Sequence, residues 1–282
     1  MNSFFKFIKL ACTGFSFGRY YENLNWALKK INNEFIMLHY PLYKNESDSF
    51  FQAQKNLTDH CISLLSNIKN KNVLEIGCGN GIQALYINAR YKPLHFTGID
   101  LNKDNIEIAN REKDMENINN VSFFIDDAQN LRHIPSDSID VVLNIESAFH
   151  YPDKTSFLKE INRVLKPKGQ FLIADLLARR IMSRHIIRIW KKKIRLYHWD
   201  HDRYINEFAS SHLISNHFED ITGQVIKGFK LYRNWLPVIK WNSFLQDFAF
   251  RAFYYINIKL YLYLLSHNRS YGVFVGYKPE FS

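Results

Sequence analysis

Val73–Gly81 reads VLEIGCGNG, a short apolar run broken only by Glu75 and followed by three glycines in five positions. The whole chain has 11 glycines in 282 residues, so their clustering here needs a reason. A β-strand that ends in a glycine loop and opens a helix lets the backbone approach a ligand at the carboxyl end of a parallel strand. The spacing is G-x-G-x-G over Gly77, Gly79 and Gly81, not the G-x-G-x-x-G of a dinucleotide site. No Lys-Ser/Thr pair follows, so the loop is not a P-loop. Asp100 closes the next apolar run in FTGIDLN, 19 residues after Gly81. A carboxylate there accepts both ribose hydroxyls and disfavours a 2′-phosphate.

Outward from this loop, short apolar runs alternate with helix-like segments. They are Val73–Ile76 with a helix from Ile82, Phe96–Ile99 with a helix from Lys103, Val121–Ile125, Ile139–Leu143 with a helix from Lys154, and Gly169–Ile173. Pro167 and Gly169 mark a turn before the fifth run. Further strands are predicted near Ile221–Ile226 and at Tyr271–Tyr277. The pattern predicts the α/β class: a Rossmann-like, seven-stranded, mostly parallel sheet with helices on both faces. Upstream, Leu28, Ile31, Phe35 and Leu38 lie at helical spacing up to Pro41. A second helix runs after Asp48 through Gln54, Leu57, Cys61 and Leu65. The chain thus divides into an N-terminal helical cap (1–65), a ligand-binding core (66–177) and a C-terminal part with a helical insert and the last two strands (178–282).

Net charge is +10, and all of it lies in the last part. Residues 1–177 hold 20 basic and 20 acidic side chains, whereas residues 178–282 hold 17 and 7, with 22 of the 44 aromatics. Within this part Arg179–Arg195 reads as an amphipathic basic helix. Three readings of it stand: an anionic membrane surface, an acidic carrier or partner, or a solvated face. Lys6 and Lys9 interrupt the apolar N-terminus, and no run of about 18 uncharged apolar residues occurs. Three cysteines (Cys12, Cys61, Cys78) have no ligand-like spacing. Together these predict a cytoplasmic protein with reduced thiols and no metal site, with peripheral attachment at the inner membrane face as the alternative. The cluster His198, Asp200, His201 and Asp202 reads as a solvated turn.

E-x-G-x-G-x-G, an acid closing the second strand, and DDAQNL after the third together resemble the class I S-adenosylmethionine-dependent methyltransferases. The resemblance spans roughly residues 70–177, and YGVFVGYKP resembles that family's last, antiparallel strand. It implies S-adenosyl-L-methionine as cofactor. Gly77, Cys78 and Gly79 would line its methionine end, and Glu75 would brace the loop and the electropositive end of the ligand. Asp100 would bind the ribose, and Leu101 would pack on adenine. Asp126 or Asp127, with the Ala128 amide, would read the adenine edge, and Asn144 would face the methionine moiety.

The fourth run continues into LNIESAFHYP, Leu143–Pro152. It lacks the Asn/Asp/Ser-Pro-Pro-aromatic motif of methyltransferases acting on amino groups of bases, so nucleic acid is disfavoured and an oxygen or carbon acceptor is expected. NIESAFHYP resembles small-molecule O-methyltransferases of polyketide and lipid pathways, such as the phthiotriolone methyltransferases. An alcohol must lose its proton as it attacks, and His150 with Asp175 forms a candidate base pair. The alternative for His150 is to shape the pocket only. Aromatics at Phe244, Phe248, Phe250, Phe253, Tyr254, Tyr255, Tyr261 and Tyr263 suggest a greasy acceptor or a lid around one, and their helical spacing equally fits the packing of a small cap domain. The expected function is O-methylation of a hydroxyl on a lipophilic small molecule. The alternatives are C-methylation of a quinol- or isoprenoid-type acceptor, RNA methylation, and a cofactor-binding scaffold without turnover.

Overall fold

The computed structural model describes residues 33–179, 196–234 and 244–280, together with Tyr21, Glu22, residues 24–26, Leu28 and Lys29. In chain order the elements are α1 (Phe50–Ser63), β1 (Asn72–Ile76), α2 (Ile82–Tyr91), β2 (His95–Asp100), α3 (Lys103–Met115), β3 (Val121–Ile125) and β4 (Ile139–Ile145). They continue with a 3-10 turn (Ala148–His150), α4 (Lys154–Val164), β5 (Leu165–Ala178), α5 (His201–Ser210), β6 (Ile214–Asp220), α6 (Thr222–Asn234), α7 (Phe244–His267) and β7 (Arg269–Tyr277). The strands form one sheet in the order β3-β2-β1-β4-β5-β7-β6. β1 to β5 pair in parallel, and β7 runs antiparallel to both β5 and β6.

Strand side chains alternate between the two faces, and each face buries its own core. Val73, Leu143 and Val273 pack with Leu57 of α1, Ala84 of α2, Ala109 of α3, Val225 of α6 and Ile258 of α7. On the other face Leu74, Ile76, Val142 and Ile173 meet Phe157, Leu158 and Ile161 of α4 and Tyr204 and Phe208 of α5. Each such fully buried side chain contributes roughly 1.5–3 kcal/mol, so the sheet is held from both sides. Helix starts follow their caps. Ser49 accepts from Gln52, Asn102 from Asp104, Asp153 from Ser156 and Asp200 from Arg203. The order of the strands places the carboxyl ends of β1 and β4 side by side, where the chain reverses direction across the sheet. That crevice is the expected ligand position in an open α/β sheet.

Three expectations are corrected. Phe35 and Leu38 do not continue a helix: residues 33–49 are irregular, and Asn33 at φ +61° takes the left-handed conformation that ends helices. The sixth strand is Ile214–Asp220, not Ile221–Ile226. It is a polar edge strand with little apolar alternation, while the Asp220 carboxylate accepts the Thr222 amide at 2.9 Å and helps start α6. The Pro167–Gly169 turn lies inside β5, which begins at Leu165. The register with β4 shifts there, and Lys168 sits at φ +66°. The proposed basic helix falls on residues 180–195, outside the described residues. Arg179 is described and pairs with Asp220 at 2.6 Å. Among the described residues no helix is long and apolar enough to cross a membrane.

Candidate active site

At the carboxyl end of β1, a cavity of about 430 Å³ opens over the glycine loop. Gly77, Gly79 and Gly81 all have positive φ, at +77°, +55° and +78°. Only the first two line the cavity. A Cβ on Gly77 would collide with Ser147 Oγ and sit 2.8 Å from Tyr151 Oη. Gly81 serves packing: a Cβ there would meet Ala109 of α3 at 2.5 Å.

Asp100 organises the loop from β2. Its Oδ2 accepts the Gly79 amide at 2.9 Å and its Oδ1 accepts the Asn102 amide at 2.7 Å. The Ile99 carbonyl accepts the amides of Gly77 and Cys78, at 2.8 and 2.9 Å. A carboxylate has about four lone-pair sites, so Asp100 keeps acceptor capacity toward the cavity it lines. Glu75 lies beneath the loop, 1% exposed, and its Oε2 has no hydrogen-bond partner. Burial, with the Asp100 charge second, pushes its carboxyl up to about 8. Ionising an acid buried this way is costly unless positive charge arrives, and Glu75 itself stands behind the residues that line the cavity. The site therefore suits a ligand bearing a cation and vicinal hydroxyls, and disfavours a pyrophosphate.

Leu101, Asp126, Asp127 and Ala128 line the far end of the cavity. Leu101 is exposed, as a platform for a flat ring requires. Both Asp126 oxygens are spent locally: Oδ1 accepts the Asp127 amide at 2.9 Å, and Oδ2 meets the His133 amide at 3.2 Å and ring Nδ1 at 3.0 Å. Asp127 bonds Gln129 twice, both times through Oδ1, at 2.9 and 3.0 Å. That leaves Asp127 Oδ2 as the better reader of a ligand edge.

At the opposite end the cavity is lined by Tyr21, Met37, His39, Ile145, Glu146, His150 and Tyr197 among others. His150 Nε2 lies 2.7 Å from Tyr21 Oη. Two expected residues stand elsewhere. Asn144 is fully buried and does not reach the cavity. Its Nδ2 lies 2.8 Å from the Ile76 carbonyl, 2.7 Å from Ser147 Oγ and 3.1 Å from Tyr151 Oη, so it supports the residues that abut Gly77. Asp175 is no partner of His150. Its Oδ2 accepts from Lys154 Nζ at 2.7 Å and Tyr204 Oη at 2.5 Å, with both ion-pair side chains 0% exposed. Strand position alone suggested a catalytic acid, but the chain carries a lysine, 21 positions earlier, that neutralises it in the core.

Sequence reasoning missed Glu146, which follows β4 and lines the cavity. It is held at φ +55°, a conformation costing a non-glycine residue about 1–3 kcal/mol. Its Oε1 accepts the Tyr40 amide at 2.7 Å and the Tyr271 hydroxyl at 2.9 Å. Burial raises its carboxyl to about 8 despite these two bonds, and the Asp175 charge adds to the rise. An acid amid NIESAFHYP was the available signal. Also unforeseen, Asn80 donates to Asn25 Oδ1 and the Ile36 carbonyl, both at 2.8 Å, and Asn25 donates to Asn105 at 2.8 Å. This ladder ties the N-terminal segment to the glycine loop and α3.

Of the expected C-terminal aromatics, the described Tyr255, Tyr261 and Tyr263 do not line the cavity. Tyr255 and Tyr263 are exposed, and Tyr261 packs on Tyr40, 5.9 Å between rings. The side chains of Phe244, Phe248, Phe250, Phe253 and Tyr254 lie outside the described residues. The histidines of the Trp199 turn have separate partners: His198 Nδ1 meets the Leu176 carbonyl at 2.8 Å and His201 Nδ1 meets Asp202 at 3.0 Å. Burial, and next the Arg269 charge, push His198 well below the usual imidazole range.

Residues 67–233 match the family described as "Methyltransferase domain". Over 116 residues the chain is 40% identical to the fatty-acid O-methyltransferase of Mycolicibacterium smegmatis, covering 41% of each chain. Over 205 residues it is 30% identical to the phthiotriol/phenolphthiotriol dimycocerosates methyltransferase of Mycobacterium leprae, covering 73% of this chain and 65% of that one. The chain thus spans less than two thirds of the length of these relatives. Among solved structures, the [4+2]-cyclase SpnF superposes with a TM-score of 0.76 at 19% identity, covering 93% of this chain and 95% of that one. At that identity the likeness establishes the shared fold alone, and a cyclase built on it shows that the fold does not by itself fix the reaction.

Proposed function

The chain belongs to the methyltransferase-domain family, and from that premise we propose that it transfers a methyl group from S-adenosyl-L-methionine to a hydroxyl of a lipophilic small molecule. The observation that carries this reading is the acid-lined glycine cavity. A buried, unpartnered Glu75 lies beneath two cavity-lining glycines, and Asp100 ties the loop to β2. In it Gly77, Cys78 and Gly79 receive the methionine end, and Asp100 accepts from the ribose. Leu101 supports the adenine, and Asp127 with Ala128 reads its edge. Asp126 holds that loop in shape, and Asn144 holds Ser147 and Tyr151 against Gly77.

The cofactor supplies a methyl group already activated by a positive sulfur, so the protein's task is mostly positioning and proton removal. Tyr21 and His150 form the polar wall of the acceptor end. Met37, Leu38, Ile145 and Pro152 provide apolar lining among the described residues. The two curated relatives are named for lipid acceptors, which supports a greasy acceptor here.

The test is incubation with S-adenosylmethionine labelled in its methyl group and separate lipid, RNA and polar extracts. Label in the lipid fraction is the expected result. Label confined to RNA, or bound cofactor with no S-adenosylhomocysteine formed from any extract, contradicts it.

A further inference from the structure

A hydroxyl that attacks a methyl group must give up its proton, and the residue first expected to organise that step, Asp175, is locked in the core with Lys154 and Tyr204. The acceptor end nevertheless contains a carboxylate. Glu146 follows β4 directly and lines the cavity. Its neighbour Ser147 abuts Gly77, so Glu146 stands beside the wall assigned to the methionine end. Both side-chain hydrogen bonds to Glu146 fall on Oε1, from Tyr40 N and Tyr271 Oη. They hold the carboxyl through one oxygen and leave Oε2 outside both bonds, on a residue that lines the cavity. His150 Nε2, by contrast, is already engaged with Tyr21 Oη at 2.7 Å.

We propose that Glu146 Oε2 receives the proton of the acceptor hydroxyl, and that the site therefore serves an uncharged hydroxyl rather than a carboxylate; this rests on the methyl-transfer reading above. In the step, the acceptor oxygen forms its bond to the methyl carbon and the electron pair of the broken sulfur–carbon bond stays on sulfur. The hydroxyl proton passes to Glu146, which later returns it to solvent. A carboxylate acceptor has no proton to give and would bring like charge against Glu146, Asp100, Asp126 and Asp127 in one cavity.

Burial supports the role, since a carboxyl lifted to about 8 is a far stronger base than an exposed one. The groups that face it are the donors Tyr40 and Tyr271, the neutral Tyr21 and Cys61, and the Asp175 charge. A bound sulfonium favours the ionised form, so activity should rise with pH through an apparent value at or below 8.

The experiment compares the full-length wild type with Glu146→Gln and Glu146→Asp, using methyl-labelled S-adenosylmethionine and total lipid extract across pH. Cofactor affinity is measured by calorimetry alongside. Glu146→Gln should bind cofactor within about twofold of wild type, lose transfer by roughly 100-fold or more and lose the rising limb of the pH profile. Glu146→Asp should restore part of the rate together with the limb. The wild-type product should keep its label in alkali, as an ether does and a methyl ester does not. Transfer by Glu146→Gln within a few-fold of wild type, an unchanged pH limb, or alkali-labile label each overturns this inference while leaving methyl transfer intact. Absence of label with the wild type overturns the underlying function and the inference with it. Should Glu146→Gln fail to bind cofactor, the pH limb of Glu146→Asp decides: a limb unmoved from wild type overturns the proposal, and a shifted one supports it.

Discussion

The carboxyl ends of β1 to β3 and of β4 and β5 both carry acids, yet the two regions use them in opposite ways. Around β1 to β3, Asp100 and Asp126 accept backbone amides, so these carboxylates build loops, and Asp100 keeps capacity toward the cavity. Around β4 and β5, Asp175 is sealed by Lys154, and Glu146 is pinned through one oxygen by Tyr40 and Tyr271. The first region recognises a constant ligand with main-chain geometry. The second is assembled from distant pieces of chain, Tyr21, residues 37–40, Tyr197 and β7, and is the proposed acceptor end.

The contrast can be broken most severely at the sealed pair. Lys154→Ala strands a buried carboxylate and should cost about 3–5 kcal/mol of stability, read as a lowered denaturant midpoint. A loss below about 1 kcal/mol would mean that Asp175 is not locked away. Next, Gly77→Ala places a Cβ at φ +77° against Ser147 and should abolish measurable cofactor binding while leaving the fold intact by circular dichroism. Normal affinity would show that the loop is not the methionine-side wall.

Glu75 gives a smaller, pH-dependent effect. Its folded-state pKa, about 8, lies above the ordinary value of 4.5. Without ligand the folded state therefore binds the proton more tightly, and this contribution to stability is complete below about 4.5 and lost as pH rises toward 8. A cationic ligand prefers the ionised acid, so the advantage of wild type over Glu75→Gln in cofactor affinity should grow with pH across that window. Taking the ratio cancels the ligand's own titration. A ratio flat in pH removes Glu75 from the binding account. Smallest of all, Tyr21→Phe removes one hydrogen bond to His150. It should alter acceptor KM by a few-fold, about 0.5–1.5 kcal/mol, with cofactor affinity unchanged. An equal effect on both ligands would blur the boundary between the two regions.

Much of the first region was legible because local sequence builds it. G-x-G-x-G demands positive φ at fixed positions, apolar runs end at Asp100 and Ile125, and the caps at Asn102 and Asp153 sit directly before their helices. The second region was legible only in part. Asp175 reads as a strand-end acid until Lys154 and Tyr204 fold onto it, a contact between elements that no spacing reveals. Glu146 gains its position from Tyr40 and Tyr271, 106 and 125 residues away. The sixth strand was misplaced because an edge strand buries little and ISNHFED carries no clear alternation, whereas Ile221–Ile226 is apolar for helix packing.

The central claim, that this glycine-loop cavity is an S-adenosylmethionine site closed by Asp100, is tested most directly by calorimetric titration of S-adenosylmethionine into wild type and Asp100→Ala. Binding to the wild type should be single-site and should weaken at least about tenfold when Asp100 is removed, since charge-assisted hydrogen bonds contribute roughly 1.5–3 kcal/mol each. No binding to the wild type, or equal affinity in the two proteins, would contradict it.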